Sequence, residues 1–308
     1  MYVGLCAVWG STWLAIKVGL RDLPPLLFAG VRMALACLIL TPFAFTRSGP
    51  GPGRVERGWI AWSGILQIGV SYGCIFLAEE RIASGLAALL FSTFPIFVGL
   101  FAHFLLPDEP LTARTLASAF LGLAGVAVVQ GPALAASFSS VQTRSLLVGS
   151  ALMLVSSAVS GYSNVVNKKH LGRVSPFVNV WGQTLAGSSL LLVGAAALER
   201  GAPARWTATS VGALAYLAVV GTALPFVGLF WLIRRVPVAI IGTIPVVDTV
   251  VAVVLGGLVL GETLSPRILA GGGLILTGVL LAAIPRRGRA ELTGRRSAAT
   301  PSSGSPTP

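Results

Sequence analysis

The chain has 308 residues, 55% of them apolar and only 10% charged, with a mean hydropathy of +0.85. Soluble globular proteins carry about 25% charged residues, so a water-soluble fold is excluded, and apolar runs that are continuous rather than alternating exclude a transmembrane β-barrel. The formal charge of +12 is spread over short connectors and the C-terminal tail, which is a topology signal and not a nucleic-acid groove.

The expectation is an all-α integral membrane protein with ten transmembrane helices. Apolar runs punctuated by Gly, Pro and charge put them at approximately 2–20, 25–46, 59–77, 83–106, 111–130, 146–167, 176–198, 209–232, 237–260 and 266–284. The first has no basic n-region or cleavage site and is read as a retained span, not a signal peptide. Gly49-Pro-Gly-Pro-Gly53 is a turn. Residues 285–308, rich in Arg, Ser and Pro without an apolar face, read as a disordered basic cytoplasmic tail. Cys6, Cys37 and Cys74 lie within apolar runs without CxxC spacing, so they are small buried side chains and not a disulfide framework or zinc site.

Ten spans put both termini on one side. Fourteen Lys and Arg, including Arg47, Arg54, Arg57, Lys168, Lys169 and the five tail arginines, collect there, against six on the other. By the positive-inside rule both termini are cytoplasmic, in a cell (inner) membrane.

The two halves resemble each other. With residue n set against n+153, ten of 25 positions from Leu105 to Val129 are identical, among them Glu109 with Glu262 and Arg114 with Arg267. At an offset of 151, Gly10, Lys17 and Pro25 fall on Gly161, Lys168 and Pro176, while Arg32 faces Gln183. The units are 1–130 and 146–284, with an external connector at 131–145. Five helices per unit is odd, so the second copy is inverted, an arrangement that points to alternating access around a site between the halves.

Trp9-Gly-Ser-Thr-Trp-Leu-Ala-Ile-Lys17, Leu23-Pro-Pro-Leu26, Arg32, the run Ala83–Leu90 and Gly261-Glu-Thr-Leu-Ser265 resemble EamA-like members of the drug/metabolite transporter superfamily. The resemblance covers all but the tail. It implies a ten-helix inverted-repeat carrier for small metabolites, often an exporter of amino acids or related compounds. Where many relatives have Glu-Pro in the ninth span, this chain has Asp248-Thr249.

The chemistry-bearing residues are few. No Walker A loop is present and the two histidines, His103 and His170, are far apart, so neither metal nor any other cofactor is expected and energy must come from a gradient. Asp248 is read as the only carboxylate deep in the membrane, where a charge costs about 3 kcal/mol on insertion scales. It is a candidate for proton coupling or for binding a substrate ammonium, the plainer alternative being a helix cross-link. Arg32 and Lys17 could attract an anionic group, although Arg32 could equally pair with Glu79 or Glu80 and Lys17 could snorkel. Ser156, Ser160, Ser163, Asn164 and Asn167 mark one face of the sixth span, and Ser63, Gln67, Ser71 and Cys74 one face of the third. Serines at such spacing are mostly packing residues, so Gln67 and Asn164 are the substrate-binding candidates. Trp13 could wall a cavity or stack on a cation. Ser118-x-x-x-Gly122 and Gly273-x-x-x-Thr277 are read as close helix contacts.

These features point to a non-enzymatic secondary transporter of a small metabolite. The alternative is an integral membrane enzyme acting on a lipid-soluble substrate, which would need several acids or histidines converging at one depth. The expected partners are a small-molecule substrate and the lipid bilayer, with no nucleic acid. A homodimer is left open.

Overall fold

A computed structural model describes residues 1–46, 51–107, 112–135, 141–225, 244–262 and 265–283; the tail at 285–308 lies outside the described residues. All regular structure among them is helical: α1 (Tyr2–Gly19), α2 (Pro25–Thr46), α3 (Arg54–Gly64), a π turn at Ile65–Val70, α4 (Ser71–Glu79), α5 (Ser84–Phe91), α6 (Phe94–Leu105), α7 (Ala113–Ala135), α8 (Val141–His170), α9 (Pro176–Leu198), α10 (Ala208–Ala218), a second π turn at Val219–Ala223, α11 (Ile244–Leu260) and α12 (Pro266–Ala283). Five helical segments are long and apolar enough to cross a membrane: Pro25–Thr46, Arg54–Glu79, Ser84–Leu105, Val141–His170 and Pro176–Leu198. Shorter apolar helices cover Ala113–Val129, Ala208–Thr222, Val247–Leu260 and Pro266–Leu281. Helix also occupies 131–135 and 141–145 of the segment read as a connector.

The break between α5 and α6 follows from Pro95. Its ring has no N–H and clashes with the carbonyl of the residue four back, Phe91. That carbonyl instead accepts a hydrogen bond from Ser157 Oγ of α8 at 3.1 Å, and Thr93 Oγ1 meets the same hydroxyl at 2.9 Å. The break in the helix is thus satisfied by a neighbouring helix, as lipid requires.

The most extensive helix packing joins α7 to α12, α2 to α9, α1 to α11 and α6 to α8. Each pair takes one helix from the first half of the chain and one from the second, so the halves interdigitate. Small residues set the crossings. A Cβ on Gly125 would lie 2.5 Å from the Gly271 carbonyl oxygen, and one on Gly278 would lie 2.8 Å from that of Ser118. Gly10 abuts the Asp248 carbonyl in the same way, and Gly161 abuts Phe97. Apolar side chains from lipid to protein gain little by burial, so this close backbone approach is what holds such helices together. The expectation for Gly273-x-x-x-Thr277 needs correcting: nothing lies within 4 Å of a Cβ at Gly273, and Thr277 Oγ1 bonds the Gly273 carbonyl of its own helix at 2.7 Å. Gly271 and Gly278, on the neighbouring face of α12, make the contact.

Two carboxylates from the second half cap helices of the first. Glu199 follows α9 and its oxygens accept the amides of Leu26 and Leu27, at 2.7 and 2.9 Å. Because α2 opens with Pro25, which has no N–H, these are its first free donors. Glu262 is turned into place by Gly261, at φ 65°. It accepts the amides of Ser84 and Gly85 at 2.8 and 3.2 Å, at the start of α5.

Candidate functional site

Three polar groups lie within the bundle, two of them on opposite sides of α1. Gly10 and Thr12 are two residues apart, about 200° around a helix, and therefore face opposite ways. On the Gly10 side is Asp248, on the second turn of α11, half-buried with Cys6 of α1 as an electrostatic neighbour. Its Oδ1 accepts from Thr249 Oγ1 at 3.4 Å, and the same hydroxyl is 3.4 Å from the Ala88 carbonyl of α5. The first part of the ninth span as read from sequence, 237–243, lies outside the described residues.

On the Thr12 side is Arg32 of α2, only 2% exposed. Its Nη2 donates to Thr222 Oγ1 at 3.4 Å, and its guanidinium lies over the rings of Tyr72 and Phe76, at 5.4 and 5.9 Å. Nε and Nη1 have no hydrogen-bond partner among the described residues. The pairing of Arg32 with Glu79 or Glu80 is not what the structure has. Glu80 pairs instead with Arg81 at 2.9 Å.

The third group surrounds the π turn at Ile65–Val70. Gln67 Nε2 donates to Ser160 Oγ of α8 at 3.2 Å, while Gln67 Oε1 is buried without a partner among the described residues. Ser71 Oγ lies 2.7 Å from both Ser156 and Ser160 hydroxyls, so these serines bond one another across the α4–α8 contact. The second π turn holds Thr222, whose Oγ1 bonds the Leu217 carbonyl five residues back at 2.9 Å. Both π turns therefore border a polar side chain, a common placement for such irregularities.

The remaining expected site residues separate. Asn164 is exposed, whereas Ser156, Ser160 and Ser163 are buried, so Asn164 does not join Gln67. At 100° per residue, Asn164 falls on the far edge of the face from Ser163. Trp13 is buried and packs on Phe91 at 5.6 Å between centroids, with Phe94 stacked beyond it at 6.0 Å; it belongs to the core. Lys17 reaches the end of α4, where its ammonium donates to the carbonyls of Glu79 and Ile82, the latter at 2.8 Å.

Glu79, read from sequence only as a partner for Arg32, is the acid whose burial the sequence did not reveal. It is fully buried, and neither carboxylate oxygen has a hydrogen-bond partner among the described residues. Its position in the sequence Ala-Glu-Glu-Arg at the end of an apolar run looks like an ordinary interfacial charge. A cavity of about 260 Å³ adjoins it, lined also by Lys17, Leu20, Arg21, Glu80, Leu260 and Glu262.

Comparison with known proteins gives this arrangement its context. The model of the EamA-like transporter family matches residues 1–130 and 147–284. The chain is 28% identical over 285 residues to the uncharacterized transporter YoaV of Bacillus subtilis strain 168, covering 91% of this chain and 94% of that protein. It is 29% identical over 279 residues to the uncharacterized inner membrane transporter YedA of Escherichia coli K12, covering 90% and 87%. A probable amino-acid metabolite efflux pump of Salmonella typhimurium strain LT2 is 29% identical over 291 residues, covering 89% and 90%. A crystal structure of a protein 19% identical in sequence shares the fold, with a TM-score of 0.61 over 97% of both chains. With apolar helices throughout and a family match that leaves out little beyond the tail, this multi-pass membrane protein belongs to the EamA-like transporter family.

Proposed function

We propose that the chain is a gradient-driven secondary transporter of a small metabolite, an amino acid or related compound, working by alternating access through ten helices in two inverted halves. The observation that carries this reading is reciprocity in the packing. At an offset of 151 the Gly10–Asp248 contact maps onto Gly161–Phe97, and at 153 Gly125–Gly271 maps onto Gly278–Ser118. The π turns also correspond at 153, Val219–Ala223 falling on the last five residues of Ile65–Val70. Two halves that make the same contacts on each other are what an inverted repeat requires, and such a repeat has two related packings between which to move. The charge count then puts both termini in the cytoplasm. It puts the ends of α1 and α4, with the starts of α2 and α5, outside.

Asp248 is assigned to coupling or to the substrate's charge because an acid at the α1–α11 contact sits where the halves must part. Flux into proteoliposomes tests it, using a compound first identified by comparing metabolites inside and outside cells with and without the chain. Asp248→Asn keeps the volume and loses the charge, so thermal stability is retained and gradient-driven flux collapses, while Asp248→Glu keeps part of it. Normal flux in the Asn variant would leave Asp248 only a helix cross-link.

A further inference from the structure

The contact of α3 and α4 with α8 changes character from one end to the other. The facing residues run antiparallel: Gly149 of α8 lies against Ala78 and Ile82, Ser156 and Ser160 lie against Ser71, and Ser160 lies against Gln67. One helical turn nearer the start of α3, this register brings Ser63 level with Ser163. The contact ends where the rings of Trp59 and His170 stack, 4.0 Å apart and 9° from parallel. Trp59, Ser63 and Gln67 recur every four residues, and Ser156, Ser160, Ser163 and His170 also share a helix face.

At the Gly149 end the contact is tight, since a Cβ there would lie 2.7 Å from Ile82 Cγ2. In the middle the hydroxyls pair. Nearer Trp59 they do not: Ser63 Oγ, Ser163 Oγ and Gln67 Oε1 are buried with no hydrogen-bond partner among the described residues. The repeat-related contact, α1 with α10, has no such deficit at the corresponding positions. Tyr216, which corresponds to Ser63, meets Ser11 Oγ at 2.6 Å, and Thr12, which corresponds to Ser163, donates to the Trp9 carbonyl at 2.6 Å. Each helix of the unsatisfied seam is also held closely to another partner. A Cβ on Gly64 of α3 would lie 2.6 Å from the Gln183 carbonyl oxygen of α9, and one on Gly161 of α8 would lie 2.8 Å from Phe97 Cβ of α6.

We propose that this seam opens at its inner end. The inner part of α8 swings away from α3 about the Gly149 contact, the Trp59–His170 stack separates, and water reaches Ser63, Ser163 and Gln67. The stack is the inner gate, and the unpaired groups line the route behind it. Ring stacking favours the closed seam and hydration of the polar atoms favours the open one, a balance of the kind that lets two states be populated. The proposal rests on the transport reading, and on the charge count for which end is cytoplasmic; it assigns the seam that moves.

The test is cysteine reactivity in the full-length chain with Cys6, Cys37 and Cys74 replaced by Ala, in membrane vesicles prepared in either orientation. The probe is the membrane-impermeant reagent 2-sulfonatoethyl methanethiosulfonate. Ser63→Cys and Ser163→Cys exchange one oxygen for sulfur and react from the cytoplasmic face at least about tenfold faster than from the other face. They also outpace, by about the same factor, Ser157→Cys, at a buried serine of α8 whose hydroxyl is paired. Trp59→Leu and His170→Leu each remove the stack and raise both rates about threefold or more; either suffices if the other does not fold. Rates as slow as that of Ser157→Cys mean that trapped water satisfies the seam without opening it, and overturn the proposal. Faster reaction from the outer face overturns it too, as do rates that neither ring variant changes. Because no flux is measured, that failure is separable from failure of the transport reading: gradient-driven flux through another seam survives it, and labelling without flux would retain the opening alone.

Discussion

Arg32 and Glu79 are buried charged side chains with polar atoms that lack hydrogen-bond partners among the described residues. Arg32 retains an aromatic environment, since Tyr72 and Phe76 present ring faces to its guanidinium, and such contacts contribute about 0.5–2 kcal/mol. Two of its nitrogens nevertheless lack acceptors among the described residues, and each unsatisfied buried group costs about 1–3 kcal/mol. If stability were the only demand on this position, an apolar side chain of similar length would serve better. Arg32→Met is therefore expected to raise the melting temperature of the purified protein, by an amount corresponding to about 1–3 kcal/mol, and to lower transport sharply. A Met variant that melts below the parent would mean that the guanidinium is structurally satisfied.

At the scale of the helix, the two carboxylate caps explain how elements distant in sequence are fixed at one end of the bundle. Glu199 reaches α2 across more than half of the chain and Glu262 reaches α5 in the same way. Each places a negative charge where the helix dipole is positive and satisfies amides that an apolar surrounding would leave unpaired. Glu199→Ala leaves the amides of Leu26 and Leu27 without these acceptors, and is expected to cost about 0.5–2 kcal/mol, read as a fall in melting temperature. Glu199→Gln should recover part of this, because the amide oxygen still accepts but the charge is gone. Equal melting temperatures for Glu199→Ala and the parent would show that water caps α2 as well as the carboxylate does.

For the whole molecule, the crossing of α7 with α12 is the contact on which the packing argument can be checked directly. Gly125 and Gly278 are related by the 153-residue offset, and at each a side chain would strike backbone of the opposite helix. Gly125→Leu and Gly278→Leu should therefore cause similar losses, about 1–3 kcal/mol or more, seen as less monodisperse protein on size-exclusion chromatography. Gly273→Leu meets open space and should behave as the parent. A strong effect of Gly273→Leu without one of Gly278→Leu would mean that α12 turns a different face to α7.

The all-helical, membrane-spanning character of the chain, and its family, were determined by the sequence alone. The reason is physical: whether a segment prefers lipid is a sum over its own residues, and the fourth span, from Ser84 to Leu105, shows this within a few residues of the reading. Its break at Pro95 is local too, but the hydroxyl that completes it belongs to Ser157, distant in the chain. Which face of each helix turns inward was decided by tertiary structure. These helices are apolar nearly all round, so periodicity gives weak direction, and close backbone approach to a particular partner selects the face. That is why Asn164, at the edge of the serine face, is left exposed and why Gly271 replaces Gly273 at the crossing. It is also why Glu79, Glu199 and Glu262 are alike in sequence, each an acid at or just past the end of an apolar run. Only the partners that the fold brings to them make two of them helix caps and leave the third buried beside a cavity.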